Sequence, residues 1–233
     1  MRINKLFSNF GICSRKETNK IIREGRVIVN GKPCIEGQWV ELSDEILLDE
    51  KPLVPKEKIY IALNKPVGVV CTAAEEVKDN IIDYLGIDDY VFPIGRLDKD
   101  SQGLIILTND GDLNHKLISP KYHVDKVYYA EINAPITEKD IKAFENGVTL
   151  DDGYKCMSAK LKVIENLEDS SRVEVTVQEG KYHQVKRMFE ARGKKVVYLK
   201  RTSFGNLPLD ESLEEGEYKE LSESELAVLY KNF

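Results

Sequence analysis

Short strand-like runs, separated by few helical segments, constrain the fold of this chain more than any other feature. From about Ile59 onward these apolar runs are "IYIALNKP", "GVVCT", "VFPI", "GLIILT", "KVYYAEI", "AKLKVIEN", "RVEVTVQEG" and "KKVVYLKRTSF". The stretches "KDNIIDYL", "EKDIKAFEN" and "HQVKRMFEAR" predict helices, and a capping box at Ser222 predicts a last one. Because strands outnumber crossover helices, the pattern predicts an α+β body around a central, mixed but mostly antiparallel sheet.

The segment before this body has its own local signals. Ile3–Phe10 fits a short helix, and Ser14 followed by Glu17 forms a capping box that predicts a second helix. The Asn30-Gly31 dipeptide adopts the backbone angles of a tight hairpin, so it predicts two short paired strands. "VELSDEILLD" adds a further strand, and the charged, proline-containing residues 50–58 are interpreted as a linker. We therefore divide the chain into residues 1–58 and residues 59–233.

Charge is distributed unevenly between these two parts. The whole chain has a formal net charge of −6. Its first 33 residues carry eight lysines and arginines against two glutamates, so they hold +6 and the remaining 200 residues hold −12. A basic head on an acidic body indicates an anion-binding module joined to a second unit.

Bulk composition restricts the class of protein. At 233 residues, with 42% hydrophobic and 32% charged residues, we expect a soluble globular protein with two cores. No apolar run approaches the length of a membrane span. The opening "MRINKLFSNF" lacks the apolar core of a signal peptide, so we expect a cytoplasmic protein that is a monomer and has no membrane partner.

Cysteine and histidine spacing argues against a metal centre. These residues are scattered and include no C-x-x-C pair: Cys13, Cys34, Cys71, Cys156, His115, His123 and His183. A structural zinc site needs closely spaced ligands, so reduced structural thiols are the better interpretation. No glycine-rich loop that could cradle a phosphate is present, and we expect no cofactor.

The turn inside "VFPIGRLDKDSQGLIILTNDGDL" places several charges between two apolar strands. The spacing of Asp98 and Asp100 partly fits a calcium loop, but Asn109 replaces the bidentate glutamate at the last position and strands flank the loop instead of helices. Both aspartates could simply accept hydrogen bonds from amides of the turn. Spacing alone does not distinguish this structural role from catalysis.

Five segments, in order, resemble the RsuA branch of the RNA pseudouridine synthases, which includes RluB, RluE and RluF. They are "LNKPVGVV", "GRLDKDSQGLIILTNDGDL", "KVYYAEI", "EGKYHQVKRMFEARGKKVVYLKRTSFG" and "LEEGEYKELSESEL". The opening "MRINKLFSNFGICSRKETNKIIREGRVIVNGK" resembles the S4 RNA-binding domain. The resemblance implies an isomerase that converts uridine in RNA to pseudouridine without a cofactor.

The resemblance also assigns roles to individual residues. Asp98 takes the role of the catalytic carboxylate, either as a nucleophile at C1′ or as the base that removes a ribose proton. Tyr128 is placed over the uracil, with Tyr129 competing for that assignment. Lys186 is placed beside Asp98, where many relatives carry arginine, and only one of Lys186 and Arg187 should face the pocket.

RNA contacts are expected from two sets of residues. On the body these are Arg96, Lys65, His183 and Arg187, and on the head they are Arg2, Lys5, Arg15, Lys16 and Lys20. Because the body is acidic, we expect a local basic rim around the cleft, made by Arg96, Lys99, Lys186, Arg187, Lys200 and Arg201.

Three late motifs look most like the enzyme of the small ribosomal subunit: "SPKYHVDKVY", "EGKYHQVKRMF" and "LDESLEEGEYKELSESEL". The favoured substrate is therefore 16S rRNA (the pseudouridine-516 type), free or within a partly assembled subunit. A 23S rRNA target stays open, as does a non-catalytic S4-type RNA-binding factor.

Overall fold

A computed structural model describes residues 1–74 and 76–231 of the chain. These residues form a four-stranded sheet in the head and a nine-stranded sheet in the body. Within the described ranges, no helix is both long and apolar enough to cross a bilayer.

The head contains two helices and four very short strands. Its elements are α1 (Ile3–Asn9), α2 (Arg15–Arg23), β1 (Val27–Val29), β2 (Lys32–Pro33), β3 (Ile46–Leu48) and β4 (Lys51–Pro52). The strands are all antiparallel, in the order β2-β1-β3-β4. Buried side chains of α1, including Ile3, Leu6 and Phe7, share one apolar cluster with Val27 and Val29 of β1.

The predicted capping box and the predicted hairpin turn of the head are both confirmed. The hydroxyl of Ser14 accepts a hydrogen bond from the amide of Glu17 at 3.1 Å, and the Glu17 carboxylate accepts one from the Ser14 amide at 2.9 Å. Asn30 and Gly31 have φ values of 50° and 74°, as the hairpin requires. The linker interpretation was only partly right, because Lys51–Pro52 is a strand that pairs with β3.

The body is built around the larger sheet. Its elements are β5 (Tyr60–Lys65), α3 (Ile81–Leu85), β6 (Phe92–Pro93), β7 (Gln102–Thr108), α4 (Gly111–Ile118), a 3₁₀ turn (Pro120–Tyr122), β8 (Lys126–Ile132), α5 (Glu138–Glu145), β9 (Lys160–Asn166), β10 (Ser171–Val177), α6 (Gln184–Glu190), β11 (Val196–Phe204), β12 (Leu207–Pro208), β13 (Tyr218–Glu220) and α7 (Glu223–Tyr230). The main strand order is β13-β5-β7-β11-β8-β10-β9. Among the described strands only β7 and β11 pair in parallel, so the prediction of a mixed, mostly antiparallel sheet is confirmed.

Apolar layers cover both faces of the centre of this sheet. In β7, Ile105 and Leu107 join one buried cluster, whereas Leu104 and Ile106 join the cluster on the other face. Burial on both sides explains why "GLIILT" is continuously apolar, since a strand with one solvated face would alternate.

Backbones approach very closely where β7 begins. A Cβ added to Gly103 would lie 2.2 Å from the carbonyl oxygen of Arg201 in β11, and the φ of Gly103 is +101°. Only glycine fits this crossing without strain. The crossing fixes the start of β7, and hence the loop that precedes it, against β11.

One assignment in the body was wrong, and one helix was missed. "GVVCT" was predicted as a strand, but Val70 makes only an isolated bridge to Asn80. Helix α4 was not predicted; it begins after Asp110, whose carboxylate accepts hydrogen bonds from the amides of Asp112 and Leu113.

Candidate active site

Asp98 lies in the loop that joins β6 to β7, and this loop is anchored on both sides. Leu97 is only 6% exposed, and its amide donates a hydrogen bond to the sulfur of Cys71 at 3.3 Å. The carbonyl of Asp98 accepts a hydrogen bond from the amide of Ser101 at 3.1 Å. The Ser101 carbonyl in turn accepts one from Lys65 Nζ at 2.9 Å. These contacts hold the carboxylate in one place, as a preorganised site requires.

Lys65 therefore has a different place from the predicted one. Its side chain is fully buried, and Nζ donates to the carbonyls of Pro66 and Ser101 at 2.7 and 2.9 Å. Burial lowers the pKa of Lys65 below its ordinary value. The prediction that Lys65 lines an RNA path is corrected: this lysine braces the Asp98 loop from inside.

Helix α6 carries Lys186 to the same loop. Val185, Met188 and Phe189 of this helix are buried in the core, and their packing turns Lys186 toward Asp98. The ammonium of Lys186 lies 3.2 Å from Oδ2 of Asp98. It also lies 2.5 Å from Oδ1 of Asp100, a second ion pair that the sequence did not predict.

The charges of this cluster support each other. Burial disfavours the ammonium form of Lys186, but Asp100 and Asp98 outweigh burial and raise the pKa of Lys186. The hydrogen bond from Lys186 lowers the pKa of Asp100. The Asp98 side chain is 26% exposed against 71% for Asp100, so Asp98 is the better shielded of the two carboxylates.

His183 contributes a third contact to Asp98. Its Nε2 lies 3.5 Å from Oδ1 of Asp98, whereas the ammonium of Lys186 lies 3.2 Å from Oδ2. His183 precedes α6 in the left-handed region, with φ 50°. Backbone strain of this kind is common at functional sites.

The alternation of β8 decides between the two candidate tyrosines. Tyr128 is 8% exposed and lines the cavity beside Asp98. Tyr129 points to the other face, where its hydroxyl donates to Glu131 at 3.0 Å and its ring meets that of Tyr198. The Tyr128 hydroxyl makes no hydrogen bond to any residue that the structure describes, and it is therefore available to a ligand.

These side chains surround a cavity of about 630 Å³, a volume suited to a nucleotide. Asp98, Tyr128, His183 and Lys186 all line this cavity, together with Arg96. The structure thus gathers, around one space, residues that lie as far apart in sequence as Arg96 and Lys186.

Two buried cations form part of the cavity wall. Lys126 is 7% exposed and Arg201 is 1% exposed, and both lie over the ring of Phe204. Nζ of Lys126 donates to the carbonyl of Val124 at 2.9 Å, and Nε of Arg201 donates to that of Leu104 at 2.7 Å. Burial, assisted by the nearby Arg201, lowers the pKa of Lys126 to about 8.

The predicted basic rim forms only in part. Arg96, Lys99, Lys186 and Arg201 line the cavity, whereas Arg187 and Lys200 do not. Arg187 pairs with Asp151 at 2.5 Å and with Asp152 at 2.7 Å, and these carboxylates raise the pKa of Arg187. The placement of Arg187 at an RNA contact is therefore corrected: two carboxylates already occupy its guanidinium.

The five basic candidates of the head, Arg2, Lys5, Arg15, Lys16 and Lys20, are all exposed. Lys5 and Arg15 line a second cavity, a groove of about 510 Å³ between head and body, together with Tyr90 and His115. Ile118 lines both cavities, so the two spaces are neighbours. Arg2, Lys16 and Lys20 lie outside this groove, and Lys16 reaches Glu76 at 4.0 Å.

None of the four cysteines lines the cavity, and Cys71 contributes to the site only as the hydrogen-bond acceptor of the Leu97 amide. All four are free and buried, and burial raises the pKa of the Cys71 thiol. Among the described residues, no group of three His, Cys, Asp or Glu side chains is arranged to hold a metal ion.

Comparisons with known proteins show which family the chain resembles. Residues 59–191 match the family model described as RNA pseudouridylate synthase. The chain is 41% identical to the uncharacterized RNA pseudouridine synthase YtzG of Bacillus subtilis, over 98% of each chain. It is 35% identical to ribosomal large subunit pseudouridine synthase B of the same organism, over 98% of this chain and 95% of the relative. A crystal structure of a pseudouridylate synthase aligns over 98% of this chain and 99% of its own, with 36% identity and a TM-score of 0.71.

The chain belongs to the RNA pseudouridine synthase family, whose members are isomerases acting on RNA. Within that family it falls in the branch of RsuA, RluB, RluE and RluF, as the sequence motifs predicted.

Proposed function

We propose that this protein isomerises a uridine of ribosomal RNA at the cavity beside Asp98, with Asp98 as the catalytic carboxylate. In this reaction the N1–C1′ bond breaks, the uracil turns, and a C5–C1′ bond forms. C5 loses a proton and N1 gains one, so atoms and electrons balance without an oxidant or a second substrate. The observation that carries the proposal is the ion pair of Asp98 with Lys186 at the wall of a nucleotide-sized cavity.

Lys186 is proposed to hold the carboxylate of Asp98 in place and to supply the opposite charge beside it. Its ammonium lies 3.2 Å from Oδ2 of Asp98, and an opposite charge at this distance attracts a carboxylate. Only the anion can attack C1′ or accept the proton of the ribose. Both routes remain compatible with this geometry.

Tyr128 is proposed to contact the uracil. Its ring lines the cavity, and its hydroxyl has no hydrogen-bond partner in the described part of the chain. An aromatic ring stacks on a nucleobase in a sequence-tolerant way, and a phenol can pass a proton. We therefore assign to Tyr128 the positioning of the ring and assistance in proton transfer at C5.

The head, residues 1–58, is proposed to be an S4-type domain that binds RNA phosphates. It exposes the five predicted cations, and two of these, Lys5 and Arg15, lie in the groove that neighbours the catalytic cavity. RNA leaving the cavity past Ile118 would reach these side chains. We further propose that the protein works as a monomer in the cytoplasm.

The small-subunit target stays a proposal that rests on the late motifs of the sequence. A 16S rRNA site is favoured by "EGKYHQVKRMF" and by the closing segment. A 23S rRNA site is the second candidate, favoured by the relative whose name refers to the large subunit. Supplying partly assembled ribosomal subunits beside free rRNA in the experiment below also shows which of the two is the substrate.

The test compares Asp98→Asn with the unmodified protein on 16S and 23S rRNA, with pseudouridine mapped by carbodiimide-dependent reverse-transcription stops. We expect Asp98→Asn to lower the rate of pseudouridine formation by about 10²- to 10⁴-fold, while its affinity for RNA stays unchanged. Asp169→Asn, the same change in an exposed turn, serves as the matched control. Equal stops from Asp98→Asn and the unmodified protein would refute the assignment, and stops from neither would favour a non-catalytic binding factor.

A further inference from the structure

A stacked aromatic pair stands at the rim of the catalytic cavity. The rings of Tyr182 and His183 have centroids 3.8 Å apart and planes inclined by 17°. Both residues line the cavity. Tyr182 is 74% exposed, so most of its side chain is open to solvent. The hydroxyl of Tyr182 makes no hydrogen bond within the described ranges.

The inner ring of this pair is tied to the catalytic carboxylate. His183 lies 3.5 Å from Asp98, so one face of the imidazole supports Tyr182 while its Nε2 meets the site. The stack thus extends from Asp98 to the solvent. A ligand that enters the cavity passes directly beside Tyr182.

The backbone that presents Tyr182 is well fixed. The amide of Lys181 donates to Oε1 of Gln184 at 3.0 Å, and the amide of Gln184 donates to the carbonyl of Lys181 at 3.1 Å. Gln184 is itself held by Glu179 at 2.8 Å. A ring already fixed in place loses little conformational freedom on binding, so the site is preorganised for a flat partner.

The proposed reaction creates a need for such a ring. A uridine within a stacked RNA can reach Asp98 only after it leaves the stack, and its departure exposes the faces of the neighbouring bases. An aromatic side chain restores the lost stacking for any base, because every base has a π-face.

We propose that Tyr182 stacks on the base next to the target uridine and so holds the RNA open while that uridine occupies the cavity. This inference rests on the proposed function, because it requires an everted uridine at Asp98. Tyr182 is a positioning residue in this account; it touches the RNA beside the reacting nucleotide and takes no part in bond breaking. Because Tyr182 stacks on His183, and His183 contacts Asp98, the position of the neighbouring base is linked to that of the catalytic carboxylate.

The test uses single-turnover rates on two RNAs: an rRNA stem-loop that contains the mapped target uridine within its helix, and a form in which the bases around that uridine are unpaired and unstacked. The variants are Tyr182→Ala and Tyr182→Phe, with Tyr218→Ala as a control because Tyr218 is 46% exposed and lies on strand β13, outside the cavity. We expect Tyr182→Ala to slow conversion of the helical RNA about tenfold or more and to leave the unstacked RNA unaffected. Tyr182→Phe and Tyr218→Ala should behave like the unmodified protein.

A second measurement does not depend on turnover. With 2-aminopurine beside the target uridine, Asp98→Asn protein that retains Tyr182 should quench the fluorescence by stacking, and the double variant with Tyr182→Ala should leave it bright. The proposal is overturned if Tyr182→Ala converts the helical RNA at the normal rate, if it slows both RNAs equally, or if the quenching persists. Failure of the proposed function is recognised separately, since Asp98→Asn would then be as active as the unmodified protein.

Discussion

Lys186, on helix α6, lies with its ammonium 3.2 Å from the carboxylate of Asp98, on a loop 88 positions earlier in the chain. The same ammonium lies 2.5 Å from Asp100, so one cation serves two carboxylates. Like charges this close oppose each other's ionisation unless a cation lies between them. Lys186 therefore bridges the two carboxylates, and its hydrogen bond lowers the pKa of Asp100.

The first prediction concerns the removal of this cation. Lys186→Met should lower the rate of pseudouridine formation by about 10²-fold or more, because the carboxylates lose their counterion in a partly dehydrated site. Lys186→Arg should keep activity within about tenfold, since a guanidinium can pair with both carboxylates. Rates on the mapped rRNA, at saturating enzyme, measure both effects.

Arg187→Met is the matched control, because Arg187 is the next residue of α6 but pairs with Asp151 and Asp152 outside the cavity. A loss of activity in Arg187→Met as large as that in Lys186→Met would contradict the role given to Lys186.

A second prediction concerns the head. Lys5→Ala and Arg15→Ala together should weaken RNA binding and make its logarithmic salt dependence less steep by about 0.7 for each cation that contacts a single-stranded phosphate. The measurement is a titration of RNA affinity at several salt concentrations. Lys32→Ala, on the exposed hairpin outside the groove, should leave the slope unchanged. An unchanged slope in the double variant would exclude these two residues from the RNA interface.

Local patterns in the sequence were sufficient for much of the fold. The capping box of Ser14 and Glu17 and the turn at Asn30 depend only on neighbouring residues, and both have the predicted geometry. The alternation of β8 indicated that Tyr128 and Tyr129 face opposite sides. It did not say which side faces the cavity, because that depends on how β8 pairs with β10 and β11.

Partners distant in the chain were not predictable in this way. Lys65 was assigned to an RNA path, yet the fold buries it against Ser101, 36 positions later. Arg187 and Asp151 likewise meet only because α6 packs beside the turn after α5. The sequence shows that a side chain is charged, but its ion-pair or hydrogen-bond partner is determined by tertiary packing.

A third prediction tests the crossing of β7 and β11. Gly103→Ala should lower the free energy of unfolding by about 3 kcal/mol or more, because the new Cβ meets the carbonyl of Arg201 and φ is +101°. Gly153→Ala is the control, since Gly153 also has positive φ, +84°, but has nothing within 4 Å of the added Cβ. It should cost only about 1 kcal/mol of backbone strain. Urea unfolding measures both, and equal losses would show that the close approach has no energetic consequence.

The last prediction concerns the stability cost of the buried cation Lys126. Burial lowers the pKa of Lys126 from 10.5 to about 8, and Arg201 adds to this effect. Between these two pH values the unfolded chain binds a proton that the folded chain does not, so the stability from this group rises with pH in that window. Below about pH 8 the folded protein carries a buried charge at a cost of about 3 kcal/mol.

Lys126→Met should therefore increase the free energy of unfolding at neutral pH, by about 2 kcal/mol after loss of the hydrogen bond to Val124. The advantage of the variant should shrink as the pH rises from about 8 to about 10.5, and above this range the lysine of the unmodified protein is neutral in both states. Urea unfolding across this range measures the difference, with Lys160→Met on the exposed edge strand β9 as the control. A Lys126→Met variant that is less stable at neutral pH would show that the ammonium contributes favourably to the fold. A more stable variant would show that the protein retains a destabilising cation at its cavity, as expected when such a group serves the site and not the fold.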